Sequence, residues 1–410
     1  MKIVAINAEY NPLHNGHAHH LKMSRELNGH CGIVVVMSGY FCQRGLPAII
    51  SPYTRAQQAI LAGADLVLRL PTSVTSASAE DYAFGVVYAL SQLQAHKQSF
   101  GYEPTCTVDQ LKAVAQYLVE ESEQDSNYQA IFQTCLKQGM GIAKARELAL
   151  KKINPEWQNI CQKSNQILAI EYLKAGVKLK DHQPVPAPFL LRREGDDYLA
   201  NEVNSSFASA TAIRQKIASA SDLVSLAKEL KPLMPLNSLA LLLRDLQAKK
   251  YKLLDDYSSL IATLLWRETE HHANKYRYLS ADLCARLQES VAEDNFPLLS
   301  ELVTNCSSRQ FPHSRIQRAL ISLLLNIPED ISPKAQYLQV LAFNKTGRYL
   351  LKRMKQDSTL PIVSNFSDLY KQELSIDAQL QRDLDRRACQ IWHLGQRNTL
   401  ELLREPLYIH

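Results

Sequence analysis

Long apolar runs are missing from this chain of 410 residues. No stretch approaches the roughly 18–20 residues needed to cross a bilayer, so neither a membrane span nor a membrane partner is expected. Paired cysteines are missing too. The eight thiols stand at 31, 42, 106, 135, 161, 284, 306 and 389, and no two form a C-x-x-C pair. That indicates neither a zinc site nor a disulfide framework, and it fits a reducing cytoplasm. Met1 leads straight into an apolar run, so no secretory signal is read. No low-complexity tract and no repeat at a fixed period interrupts the sequence. A net charge of +5 is compatible with a polyanionic partner without establishing one. Histidine is scarce, with twelve in all, yet four of them (His14, His17, His19 and His20) crowd into "AEYNPLHNGHAHH" around Gly16.

That cluster stands in an alternating pattern. "KIVAINA" reads as a buried strand, "HAHHLKMSREL" as a helix and "CGIVVVMSG" as a β-branched strand. "SPYTRAQQAILAGA" opens with an N-cap serine followed by proline. "DLVLRLP" is a third strand, "SAEDYAFGVVYALSQL" a helix and "QSFGYE" a fourth strand. Apolar strands alternating with helices predict a parallel sheet covered on both faces, with ligands beyond the carboxyl ends of its strands. Residues 105–178 read as mostly helical, "PVPAPFLL" as a strand and "SATAIRQKI" as a helix start. From "KPLMPLNSLALLL" onward no convincing strand is found, and "SLALLLRDL", "IQRALISLLL" and "AQYLQVLAF" carry apolar residues at helical spacing. The expected organisation is therefore an α/β domain with a helical insert over 1–230, followed by an all-helical domain over 231–410.

A strand, a short loop and H-x-G-H at a helix start suit phosphate chemistry. The first turn of a helix offers unpaired N–H groups and the positive end of its dipole. Gly16 lets a phosphate approach the backbone. His14 and His17 are the candidate catalytic residues, donating hydrogen bonds to phosphate oxygens as an α-phosphorus gains a fifth ligand.

Around this motif the sequence resembles a specific family. "EYNPLHNGHAHH", "VVMSGYFCQRGLPAI", "TRAQQAILAGADLVLRLP", "SAEDYAFG", "SFGYE", "SNQILAIEYLKA", "SATAIR", "SSRQFPHSRIQRAL" and "LAFNKTGRYLL" are similar to blocks of the tRNA(Met) cytidine acetate ligase family, within the H-x-G-H nucleotidyltransferase superfamily. The resemblance implies a Rossmann-like nucleotidyltransferase domain and a two-step reaction. Acetate attacks ATP to give acetyl-adenylate, and the acetyl group passes to N4 of the wobble cytidine of elongator tRNA(Met), giving N4-acetylcytidine. ATP and acetate are then substrates, Mg²⁺ accompanies ATP, and neither DNA nor coenzyme A takes part.

The resemblance also implies ATP contacts, position by position. The first block supplies Asn7, Ala8, Glu9, Tyr10, Asn11, Pro12, Leu13, His14, Asn15, Gly16, His17, Ala18, His19 and His20. Gly101, Asn165, Arg192 and Arg193 match later positions, and Ser209, Thr211 and Arg214 match the superfamily's second signature. Each has a blander reading in isolation: Gly101 a turn, Asn165 and Ser209 helix caps, Arg193 a solvated charge. Their order along the chain is what joins them.

Four departures stand out. Tyr40 replaces a small amide, Ser51-Pro52-Tyr53 replaces an aspartate–lysine pair, Arg69 occurs where glutamate is usual, and Gln166 stands in for an asparagine. If the missing lysine neutralises pyrophosphate, its loss puts activity in doubt, and Arg69 is a possible replacement charge. RNA contact is expected from Lys249, Lys252, Arg315, Arg318 and Arg353 on basic helix faces. The rival readings are a nucleotidyltransferase acting on a small phosphorylated metabolite, and a tRNA-binding protein with impaired adenylation.

Overall fold

The computed structural model describes the chain except residues 158–159, 162, 193–208, 292–296 and 397–400. Its strands are β1 (Lys2–Ala8), β2 (Cys31–Met37), β3 (Phe41–Cys42), β4 (Leu46–Pro47), β5 (Leu66–Arg69), β6 (Lys97–Tyr102), β7 (Ala187–Arg192), β8 (Leu338–Phe343), β9 (Ile362–Val363) and β10 (Leu407–Tyr408). Among the described residues eight of these form one sheet, in the order β10-β8-β5-β2-β1-β6-β7, with β9 also on β8. β3 and β4 form a separate antiparallel hairpin.

The parallel part follows from composition. Every residue of β2 is buried, as a strand covered on both faces requires. β1 runs parallel to β2 from Lys2 opposite Cys31 to Ala8 opposite Met37. The chain then moves through β5 in one direction and returns to β6 on the other side of β1. The connections therefore diverge at the carboxyl ends of β1 and β6, the switch point where such sheets bind ligands.

The second half is mainly helical, but the expectation of no strand after residue 231 is corrected. "LQVLAF" forms β8, antiparallel to β5 from Leu66 opposite Phe343. A short, continuous apolar run does not distinguish a buried strand from a buried helix by periodicity. What decides it is the edge of β5, whose backbone groups need partners once buried. β9 and β10 then pair with β8.

The sheet thus draws on both sides of residue 230, and so do the cores. Val340 and Leu350 pack with Val34 and Leu68, while Tyr40 and Phe41 pack among residues of the second half such as Tyr257 and Trp392. Among the described residues no helix is long and apolar enough to cross a membrane.

Candidate active site

A cleft of about 680 Å³ opens at the switch point. Its floor is the end of β1, from Ile6 to Asn11, beside Phe100 and Gly101 of β6. The wall on one side is the first turn of helix Asn15–Glu26, with His17 and His20 facing the cleft.

The H-x-G-H turn is built by reciprocal capping. The Gly16 backbone N–H donates to His14 Nδ1 at 3.1 Å, and the His14 N–H donates to His17 Nδ1 at 3.3 Å. The two imidazoles stack with centroids 3.7 Å apart, and Tyr10 meets His17 edge-on at 5.0 Å. Because each Nδ1 accepts a backbone proton, the neutral ring carries its own proton on Nε2. Both rings are thereby fixed as Nε2–H donors. No acidic side chain stands in this helix's first turn, so the positive end of its dipole favours an anion beside it, while the Asn15 N–H donates to Leu233 O at 3.0 Å and the Gly16 N–H to His14 Nδ1.

The loop and the turn are clamped by four other parts of the chain. Buried Asn11 accepts from Ile49 N–H at 2.8 Å and donates to the Pro47 carbonyl at 3.2 Å. Arg214 donates to the Asn11 carbonyl at 2.9 Å, and Asn15 donates to Pro232 O at 2.8 Å. Arg55, fully buried, donates to the carbonyl of Glu9 at 2.6 Å. Tyr10, also buried, holds a left-handed backbone with φ 46°, a conformation costing about 1–3 kcal/mol for a bulky side chain. These clamps offset that cost.

An aromatic wall of Tyr82, Phe100 and Tyr172 lines the opposite side, with the Phe100 and Tyr172 centroids 5.1 Å apart. Asn7 donates to the Tyr172 hydroxyl at 2.6 Å and accepts from Gln98 at 3.1 Å. Burial holds the Tyr172 hydroxyl well above its usual range, so it stays neutral. Asn165, in the first turn of helix Ser164–Leu179, donates to Glu103 at 2.6 Å.

The structure gathers Asn7, Ala8, Glu9, Tyr10, Asn11, His17, His20, Gly101 and Asn165 on the cleft surface. His14 stacks on His17 without lining the cleft, and Pro12, Leu13, Asn15, Gly16, Ala18 and His19 form the turn without lining it. Ser209 caps helix Ala210–Ser219 by accepting from Ala212 N–H, Thr211 accepts from Arg214, and Ala210 is the residue of that helix on the cleft. Arg192 is exposed at the end of β7, and Arg193 lies outside the described residues.

Sequence reasoning missed Gln43 and Arg44 in the β3–β4 turn, Tyr82 and Tyr172 in the aromatic wall, and His313 and Ser314 at the start of helix His313–Leu325. Gln43 and Arg44 join the two short strands of the β3–β4 hairpin that follows β2. The others lie on helix faces whose direction only packing fixes.

The departures turn out to be internal. Arg69 forms an ion pair with Asp385 at 2.9 Å, with both side chains almost completely buried. The expectation that it replaces a charge at the phosphates is therefore corrected, because its charge is already neutralised. Tyr40 donates to Glu401, Ser51 donates to Glu401 at 2.7 Å, and Tyr53 donates to Arg404 O at 2.9 Å. Gln166 donates to Thr105 at 2.7 Å and is fully buried. None of these residues lines the cleft.

The RNA candidates scatter. Arg318 lines the cleft. Lys249 is exposed and Lys252 donates to Leu394 O at 2.7 Å. Arg353 donates to the Met1 carbonyl at 3.0 Å, at the amino end of β1 and so on the opposite sheet edge. Among the described residues no group of three or more His, Cys, Asp or Glu is arranged to hold a metal ion, and Glu9 is the only carboxylate on the cleft surface.

Comparison with known proteins places the chain in a family. Residues 1–404 match the family model described as HIGH Nucleotidyl Transferase. The tRNA(Met) cytidine acetate ligase of Acetivibrio thermocellus is 34% identical over 420 residues, covering 100% of this chain and 95% of the relative. That of a Thermoanaerobacter species is 35% identical over 408 residues, covering 97% and 96%. Among solved structures, Thermotoga maritima TmcAL bound with alpha-thio ATP superimposes with a TM-score of 0.87 at 28% identity, covering 100% of both chains.

Proposed function

Given that the chain belongs to the tRNA(Met) cytidine acetate ligase family, we propose that the cleft at the β1–β6 switch point makes acetyl-adenylate and hands the acetyl group to a cytidine of tRNA(Met). The protein is an ATP-dependent ligase. The observation that carries the assignment of chemistry to this cleft is the reciprocal His14–His17 cap, which supports reading His17 as an oriented N–H donor at the positive end of a helix.

In the first step an acetate oxygen forms a bond to the α-phosphorus of ATP, and the bond to the β-phosphate bridge breaks. Pyrophosphate leaves with that electron pair. Charge grows on the α-phosphoryl oxygens as the fifth ligand arrives. His17 Nε2–H and the positive end of the helix dipole meet that charge without having to reorganise. His14 acts through His17, holding its ring and tautomer. The aromatic wall of Tyr82, Phe100 and Tyr172 takes the adenine face. Arg214 holds the loop through Asn11.

In the second step the cytidine N4 attacks the acetyl carbonyl. The C–N bond forms, the carbonyl–phosphate bond breaks, AMP departs and N4 loses a proton. A wobble base already lies in a single-stranded loop, so presenting it costs less than extrusion from a duplex.

Mg²⁺ fits as a companion of the phosphates. It would supply bridging charge, with Glu9 as its one protein carboxylate, since such ions are held through one or two carboxylates plus substrate phosphates. We place the reaction in the cytoplasm, where its RNA substrate is found.

The test is incubation with labelled acetate, ATP and tRNA, followed by digestion to nucleosides. Label in N4-acetylcytidine is the expected result. ATP–pyrophosphate exchange that proceeds equally without acetate would overturn the reading and point to a nucleotidyltransferase of another substrate.

A further inference from the structure

A second chamber of about 710 Å³ adjoins the cleft, within the roughly 300–1,000 Å³ typical of ligand sites. Ala79, Ala143, Ile167, Pro312, Ser314 and Arg318 line both spaces, so the two share a wall.

The chamber is two-sided in chemistry. One side is apolar, with Ile142 and Leu148 from helix Ile142–Ile153 and Ile167 from helix Ser164–Leu179. Ile142 is 61% exposed. The other side carries Arg309, Arg315 and Arg318.

The remaining charges of the chamber cancel internally. Arg146 pairs with Glu171 at 2.5 Å, Lys144 with Glu147 at 2.9 Å, and Glu80 with Lys174 and Lys178. The three arginines do not cancel: none has a carboxylate partner among the described residues. Arg315 lies over the Phe311 ring at 5.0 Å and Arg318 over Tyr278 at 5.4 Å. Ring contacts of this kind orient a guanidinium while leaving its charge uncompensated. Arg315 and Arg318 stand three residues apart on one helix face. Arg318 Nε is buried with no hydrogen-bond partner. Burial lowers the pKa of Arg318, and the neighbouring Arg315 and Arg277 add to that, with Tyr278 and the more distant Asp81 carboxylate opposing. An arriving anion would relieve this unfavourable arrangement.

We propose that the second chamber seats the acceptor nucleotide of the RNA, its base against Ile142, Leu148 and Ile167 and its flanking phosphates on Arg309, Arg315 and Arg318. This rests on the proposed function and adds where its second substrate binds. A single-stranded nucleotide presents an apolar base face beside phosphates, which is the pairing the chamber offers. The shared wall at Ala143 and Arg318 then puts the base next to the adenylate.

The test uses the full chain with two variants, Arg315→Gln and Ile142→Trp. Phosphate chemistry has two possible sources here, ATP and RNA, and the two half-reactions separate them. The proposal expects Arg315→Gln to lower kcat/KM for tRNA acetylation by about tenfold or more and to make the log–log salt dependence of tRNA binding shallower by about one. Acetate-dependent ATP–pyrophosphate exchange should hold. Arg315→Lys should restore the salt slope. Ile142→Trp, which fills the chamber from an exposed position, should also depress acetylation while sparing exchange.

Unchanged acetylation in both variants overturns the proposal, as does loss of exchange in Arg315→Gln, which would assign the arginine to ATP. Failure of the wild-type protein to show acetate-dependent exchange would instead strike the proposed function itself, so the two failures are distinguishable.

Discussion

At the scale of single residues, His17 performs two tasks that substitution can separate. Its Nδ1 caps the His14 N–H, and its Nε2–H is the proposed donor to the transition state. His17→Ala is expected to lower kcat for ATP–pyrophosphate exchange by about 10²–10³, the typical loss when one preorganised donor is removed, with a much smaller change in ATP KM. A raised KM at unchanged kcat would show that the ring only binds. His393 offers a second residue-scale expectation. Burial disfavours its charge, but hydrogen bonds to Cys389 and Glu401 prevail and push the imidazole up to about 10. Its Nε2 lies 3.4 Å from Glu401, which also accepts from Tyr40 and Ser51. A folded-state value raised above about 6.5 means that the stabilisation is fully present below pH ~6.5 and is lost as pH rises through about 10. Chemical denaturation midpoints measured between those limits should fall with pH in the native protein and more shallowly in His393→Gln. Parallel pH profiles for the two proteins would contradict the assignment.

At the scale of elements, Asp385 ties three of them together. From helix Ile376–Trp392 it accepts from the Thr72 N–H at 2.7 Å and the Thr72 hydroxyl at 2.6 Å, from the Tyr337 hydroxyl, and from Arg69 at the end of β5. Asp385→Ala strands a buried guanidinium, so a destabilisation of about 3–5 kcal/mol is expected in urea unfolding. Combining it with Arg69→Met should recover only part, because Thr72 and Tyr337 remain unpaired. A loss below 1 kcal/mol in the single variant would mean that water reaches the site.

This network explains what the sequence could and could not say. β1, β2, β5 and β6 were legible because alternation and apolar runs are local properties. The H-x-G-H turn was legible because cap, glycine and strand lie within a dozen residues. β8 was not, since its state depends on an edge contributed by residues 66–69. The role of Arg69 was not either, because its partner lies more than 300 positions away. The aromatic wall shows the same limit: Tyr82 and Tyr172 each sit on an ordinary helix, and only packing turns both toward Asn7.

At the scale of the whole molecule, the expected division near residue 230 does not coincide with a break in the sheet. A fragment over residues 1–230 keeps every proposed ATP contact but loses β8, leaving β5 as an uncovered edge, and loses Val340 and Leu350 from the core. It should therefore aggregate or unfold without cooperativity, and show no exchange activity. A soluble fragment with a sharp thermal transition and acetate-dependent exchange would show that β5 tolerates an open edge.

The same pairing sets a timetable. β5 ends at Arg69, and its neighbour β8 begins at Leu338. At about 5–20 residues per second, a ribosome needs on the order of tens of seconds to bridge that gap. Throughout that interval the nascent sheet presents the apolar edge "LVLR" to its surroundings, the kind of edge that recruits other strands. Slowing translation within residues 70–337 should thus lower the soluble yield, whereas slowing it after residue 343 should matter far less.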